Sequence, residues 1–164
     1  MHDVIQRIVD VKERREDRAQ EDVRRRRLTL EDAARRLEQR RKELDDYKVW
    51  RVRREIELWD GIERRTVKLR DIEDLKLDIG LLRGREQLFA EHVVEAEKAR
   101  SDANTALNEA VAVLEAATRN RQKFEDLADW LEAESRAYRE RMEELELEEL
   151  FSGSRGGDAE ERFA

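Results

Sequence analysis

From Leu82 to Leu145 every seventh residue is uncharged: Leu82, Phe89, Ala96, Ala103, Ala110, Ala117, Phe124, Leu131, Tyr138 and Leu145. Charged residues make up 47% of the chain, so an unconstrained register would meet one at almost every second step. Four residues further on lie Glu86, Val93, Arg100, Leu107, Leu114, Arg121, Ala128, Ser135 and Met142, which are mostly apolar or small. Spacings of three and four that close at seven put both sets on one face of an α-helix and predict a left-handed coiled coil. The alanines at 96, 103, 110 and 117 allow backbones to approach closely, while Phe, Leu and Tyr at the two ends demand more room.

A weaker version of the same pattern runs through the first third. Val9, Val23, Leu30, Leu37, Leu44 and Leu58 share one seven-step register, interrupted by Glu16 and Arg51. Ile5, Ala19, Ala33 and Tyr47 share the companion register, alternating with Lys12, Arg26, Arg40 and Arg54. Arginine stems can cover an apolar seam while their heads reach water, so this helix also packs along its length. The chain contains no proline and no cysteine. Globular chains average about 5% proline, and its absence removes the strongest helix breaker. Without cysteine a disulfide scaffold or a zinc ribbon is excluded.

Four zones follow. Residues 1–58 form a first coiled-coil helix. Residues 59–81, with Gly61, Thr66 and Gly80, form a hairpin tip and loop with room for a short helical turn. Residues 82–150 form a second, longer helix, and the Gly/Ser-rich 151–164 reads as a disordered tail. Two seams joined by a short breaker favour an elongated antiparallel two-helix coiled-coil hairpin, an all-α fold, over two helices each paired in a parallel dimer. A monomer is expected in isolation, with the second arm overhanging the first at the end that carries both termini. Charge supports the pairing: residues 1–56 carry 18 basic and 14 acidic residues, residues 57–164 carry 17 and 28, and the formal net charge is −7.

Catalytic constellations do not assemble from these residues. His92 with Glu95 is one H-x-x-E pair, short of the repeated E-x-x-H and extra glutamates of a di-iron bundle. The serines have no histidine partner at a meaningful spacing, and GSRGG lacks the Lys-Ser/Thr end of a phosphate loop. No enzyme, metal site or cofactor is expected. Arg24–Arg27 followed by Leu30, Leu37 and Leu44 has the outline of a basic-region zipper. Glu13, Glu16, Asp17, Glu21 and Asp22 occupy the turns where phosphate contacts belong, however, and the chain as a whole is acidic, so no nucleic-acid partner is expected. No stretch approaches the roughly 18 uncharged apolar residues of a membrane span, so no direct membrane insertion is expected and the cytosol is the default address. The most telling segment is 44–60, LDDYKVWRVRREIELWD, where Tyr47, Trp50 and Trp59 stand among charges. Exposed aromatics in that setting mark a protein-binding hot spot, unless Trp50 packs on the loop.

The blocks DYKVWRVRREIELWD (46–60), LLRGREQL (81–88), QKFEDL (122–127) and MEELELEELF (142–151) resemble, in order and spacing, the YscO/HrpO stalk proteins of bacterial type III secretion, relatives of the flagellar export protein FliJ. The resemblance implies a two-helix coiled coil similar to the central stalk of rotary ATPases. Its partners would be the hexameric export ATPase, the cytoplasmic domain of the inner-membrane export gate, and secretion chaperones. Its place would be cytoplasmic, peripheral to the inner membrane at the secretion apparatus. Carried over by position, the gate-facing patch falls at Leu44, Tyr47, Trp50, Arg51 and Phe89. The end that enters the ATPase falls at Ile5, Val9, Tyr138, Met142 and Leu145. Apart from the resemblance, the residues also fit a generic coiled-coil spacer or homodimeric adaptor without ATPase contact.

Overall fold

The computed structural model describes residues 2–161. Two helices account for nearly all of them, α1 over His2–Glu63 and α2 over Leu69–Glu161, joined by the five residues 64–68. Together they make an all-α helical hairpin, as the paired seams predict. The helices contribute to two compact units, one of Gln20–Ala112 and one of Met1–Ala19 with Val113–Ala164.

The connection is much shorter than the 59–81 break expected from the glycines. Gly61 and Gly80 are both helical, and no residue has a positive φ among those described. Glycine weakens a helix by roughly 1 kcal/mol relative to alanine but does not end it. What decides the matter is the seam. Ile72, Leu75 and Ile79 continue the α2 registers backwards from Leu82 and Glu86, and Leu75 and Ile79 are buried. The start of α2 is set at Lys68. Its backbone N–H donates to the Asp71 carboxylate at 3.2 Å, and the Asp71 N–H donates to the Lys68 carbonyl at 3.0 Å. This is the carboxylate half of a capping box, with the negative charge of Asp71 also favoured by the dipole at a helix start.

Helix α2 likewise runs through residues 151–161, where the composition predicted a disordered tail. The Ser152 hydroxyl donates to the Glu149 carbonyl at 3.0 Å and Ser154 to Phe151 at 3.2 Å, so both serines bond within the helix rather than terminating it. The last three residues of that predicted tail, 162–164, lie outside the described residues.

In the Gln20–Ala112 unit the antiparallel direction is fixed by contacts whose numbers rise along α1 as they fall along α2. Arg41 meets Glu97 at 3.4 Å, Tyr47 meets Leu82 and Phe89, and Glu55 meets Arg83 at 3.3 Å. The core is thin: Val23, Leu37, Leu75, Ile79, Ala96, Ala103 and Ala110 are buried. In the other unit Val9, Ala19 and Ala128 are buried, and the Lys12 ammonium lies 5.1 Å from the centre of the Phe124 ring, a cation–π contact across the pair. Every residue from Tyr138 to Arg155 is exposed.

With so narrow a seam, single apolar contacts carry much of the stability. Leu37 is 3% exposed, so Leu37→Ala should lower the unfolding free energy by about 2–3 kcal/mol, the lower part of the range for buried leucines, in urea titrations followed by circular dichroism. Leu77, 65% exposed on the outer face of α2, should change it by less than about 0.5 kcal/mol on the same substitution.

Candidate partner-binding surfaces

Four of the polar residues that interrupt the seams, Glu16, Arg51, Glu86 and Arg121, face one another in pairs. In the Gln20–Ala112 unit the Arg51 guanidinium, from the α1 register, pairs with Glu86 of the α2 companion register and with Glu55 at 2.8 Å. Arg83 completes the group at 3.3 Å from Glu55. In the other unit Glu16 and Arg121, the corresponding interruptions there, pair with each other, and Arg121 also reaches Glu125 at 2.7 Å. Arg51, Glu55 and Glu86 are mostly covered, as are Glu16 and Arg121, so these pairs belong to the packed interface.

Their protonation follows from that placement. Hydrogen bonding to Glu55, opposed by desolvation and aided by the charges of Glu55 and Glu86, raises the Arg51 pKa. Burial pushes the Glu55 carboxyl up, but hydrogen bonds from Arg51 and Arg83 outweigh it and hold Glu55 below the usual glutamate value. Glu16 and then Glu125 raise the Arg121 pKa in the same way. A carboxylate with a lowered folded pKa stabilises the fold above its unfolded pKa. That contribution disappears as pH falls through the folded value.

Around Arg51 sits an aromatic cluster. The Tyr47 hydroxyl donates to the Leu82 carbonyl at 2.7 Å. Its ring lies 4.8 Å from that of Phe89 and 5.5 Å from that of Trp50, and Phe89 meets His92 edge-on at 6.3 Å. Of the patch placed by resemblance, Leu44, Tyr47, Arg51 and Phe89 are therefore half-buried within the hairpin, and Trp50, 47% exposed, is the member open to solvent. Of the terminal set, Val9 is buried and Ile5 half-buried, whereas Tyr138, Met142 and Leu145 are exposed.

The structure adds a surface that the seam analysis passed over. Val49, Val52, Ile56 and Trp59 are all exposed and follow a 3-4-3 spacing on the outer face of α1. The spacing was legible in the sequence, but it lies on the side opposite the stronger register. Across the hairpin, Leu58, Gly80, Leu81, Gly84 and Leu88 line a shallow open groove, and nothing stands within 4 Å of a Cβ added at either glycine. Among the described residues no cluster of three His, Cys, Asp or Glu side chains could hold a metal ion, and no helix is long and apolar enough to cross a membrane.

The family model for the type III secretion protein YscO matches residues 5–153. The chain belongs to the YscO family. A 2.8 Å crystal structure of type III secretion protein YscO from Vibrio parahaemolyticus superposes with a TM-score of 0.86 at 30% identity, over 90% of this chain and 93% of that one. A comparison with curated proteins gives no match. The match spans the helices that carry both the aromatic cluster and the exposed part of α2 as far as Gly153, so both surfaces belong to the family's fold.

The ion-pair group gives a direct test. Arg51→Ala leaves Glu86 without its partner in the interface and Glu55 with Arg83 alone, and should cost about 1–2 kcal/mol at pH 7, below the value for deeply buried pairs because water stays close to a two-helix seam. The same substitution in a Glu55→Gln, Glu86→Gln background should cost clearly less. As pH falls from neutrality through the lowered pKa of Glu55 the cost in the parent chain should also shrink, as read from a series of denaturation curves at decreasing pH.

Proposed function

We propose that this chain is a non-enzymatic central stalk of the type III export apparatus, linking the hexameric export ATPase to the cytoplasmic domain of the export gate and escorting secretion chaperones. Such a protein would work in the cytoplasm, at the periphery of the inner membrane. The observation that carries the reading is the distribution of exposed apolar residues. The Gln20–Ala112 unit offers Trp50 with the stripe Val49, Val52, Ile56 and Trp59, and the other unit offers Tyr138, Met142 and Leu145. Isolated exposed leucines need no explanation, but aromatic residues in contiguous exposed stripes mark partner contacts.

A helical stalk seated in a ring of identical subunits breaks the ring's symmetry, so subunits facing different sides of it differ in nucleotide affinity. The coupling requires contacts that change between ATPase states, commonly worth about 1–3 kcal/mol. Adding the purified chain to the cognate export ATPase should raise ATP hydrolysis and promote hexamer formation. No change in either would remove the stalk role and leave a coiled-coil spacer or adaptor.

At the gate-facing surface, Trp50→Ala should weaken binding to the gate's cytoplasmic domain about tenfold, equivalent to about 1.4 kcal/mol, with helicity preserved. Tyr47→Phe removes the hydrogen bond to the Leu82 carbonyl and should act on stability instead, leaving gate binding unchanged in calorimetric titrations. Equal binding by the Trp50 variant would assign that ring to packing.

A further inference from the structure

The turns of α2 from Tyr138 to Phe151 are left unsatisfied in two ways. Tyr138, Met142 and Leu145 continue the seam that packs against α1 lower down, yet they are 60%, 42% and 53% exposed. The same segment carries Glu140, Glu143, Glu144, Glu146, Glu148 and Glu149 against Arg139 and Arg141, and none of these eight charges has an ion-pair partner within 4 Å among the described residues. Glu140 with Glu144, and Glu144 with Glu148, are like charges one turn apart, which weakens a helix standing alone. Leu150 and Phe151, each 70% exposed, extend the apolar surface.

We propose that Tyr138–Phe151 is a docking surface for a basic amphipathic helix contributed by a partner protein. That one occupant answers both features. Its apolar face continues the α1–α2 seam by knobs-into-holes packing, and its lysines and arginines neutralise the glutamates that repel one another. A second copy laid segment against segment offers the wrong charge, because it would set glutamates against glutamates, and the more basic α1 of such a copy is already paired with its own α2. The proposal deepens the terminal contact of the stalk reading by stating its chemistry, and it rests on that end facing a partner.

The test uses the full chain and two labelled synthetic helical peptides of about three heptads with identical leucine seams, one rich in lysine and one rich in glutamate. Fluorescence anisotropy should show the lysine-rich peptide bound at least about tenfold more tightly than the glutamate-rich one, with an affinity that falls as salt is raised. The triple variant Tyr138→Ser, Met142→Ser, Leu145→Ser should lose that binding by at least about tenfold while its thermal unfolding midpoint stays that of the parent, since these side chains lie outside the packed core. Reversing charge with Glu143→Lys, Glu146→Lys and Glu149→Lys should reverse the peptide preference. Absence of binding to the parent chain, equal binding by the triple variant, or a retained lysine preference after charge reversal would overturn the proposal. So would a concentration-dependent dimer of the parent chain that the triple variant abolishes, because the occupant would then be a second copy. Stimulation of the export ATPase is a separate measurement, so failure here with stimulation intact removes the docking chemistry and leaves the stalk reading.

Discussion

A two-helix seam cannot be dry. Each helix buries one stripe against one neighbour, and solvent reaches the flanks along the whole interface, so apolar burial alone fixes the pairing only weakly. A seven-residue slip would still set leucines against alanines. The pairs Arg51–Glu86 and Glu16–Arg121 forbid it, because each slip would strand charged groups inside the interface. Polar residues at seam positions usually cost stability and return a defined register. The alignment of every other contact in each unit, including the Tyr47–Phe89 stack and the Lys12–Phe124 contact, follows from that register.

Much of this was legible in the sequence, because a seam is a local, periodic property. The seven-step registers through Val9 and Leu82 follow the covered residues as far as Leu131, beyond which Tyr138 and Leu145 stay on the register but are exposed. The connection is shorter than Gly61 and Gly80 suggest because a continuing seam outweighs a helical glycine: Ile72, Leu75 and Ile79 carry the registers through that region. Glu16, Arg51, Glu86 and Arg121 read as interruptions in two separate lists. That they complete one another is a fact about alignment between distant segments, which a single register does not contain.

The candidate surfaces were legible in type and less so in detail. Position along a family pattern indicated Leu44, Tyr47, Trp50, Arg51 and Phe89 together, but the hydrogen bond from Tyr47 to Leu82 and the ion pairs of Arg51 commit those side chains to the hairpin, leaving Trp50 outside. A residue's chemistry is visible in sequence, while the partner that has already claimed it is not. Trp59 stands out in the sequence as an aromatic among charges, while Val49, Val52 and Ile56, which join it in an exposed stripe, do not, because β-branched residues scattered among arginines carry no seven-step signal.

The account turns on one chain folding back on itself in a fixed alignment. Spin labels on cysteines introduced at Arg41 and Glu97, the exposed pair that meets across the two helices at 3.4 Å, measure this directly, since the natural chain has no cysteine of its own. The account predicts a single short distance, roughly 10–20 Å as for neighbouring helices, that persists when labelled chain is diluted with a large excess of unlabelled chain. A distance that vanishes on dilution would place the partner helix in another molecule, and a shorter distance from position 41 to a label at Asn104 or Ala90, one heptad or about 10 Å along α2, than to one at Glu97 would show that the ion pairs do not set the register.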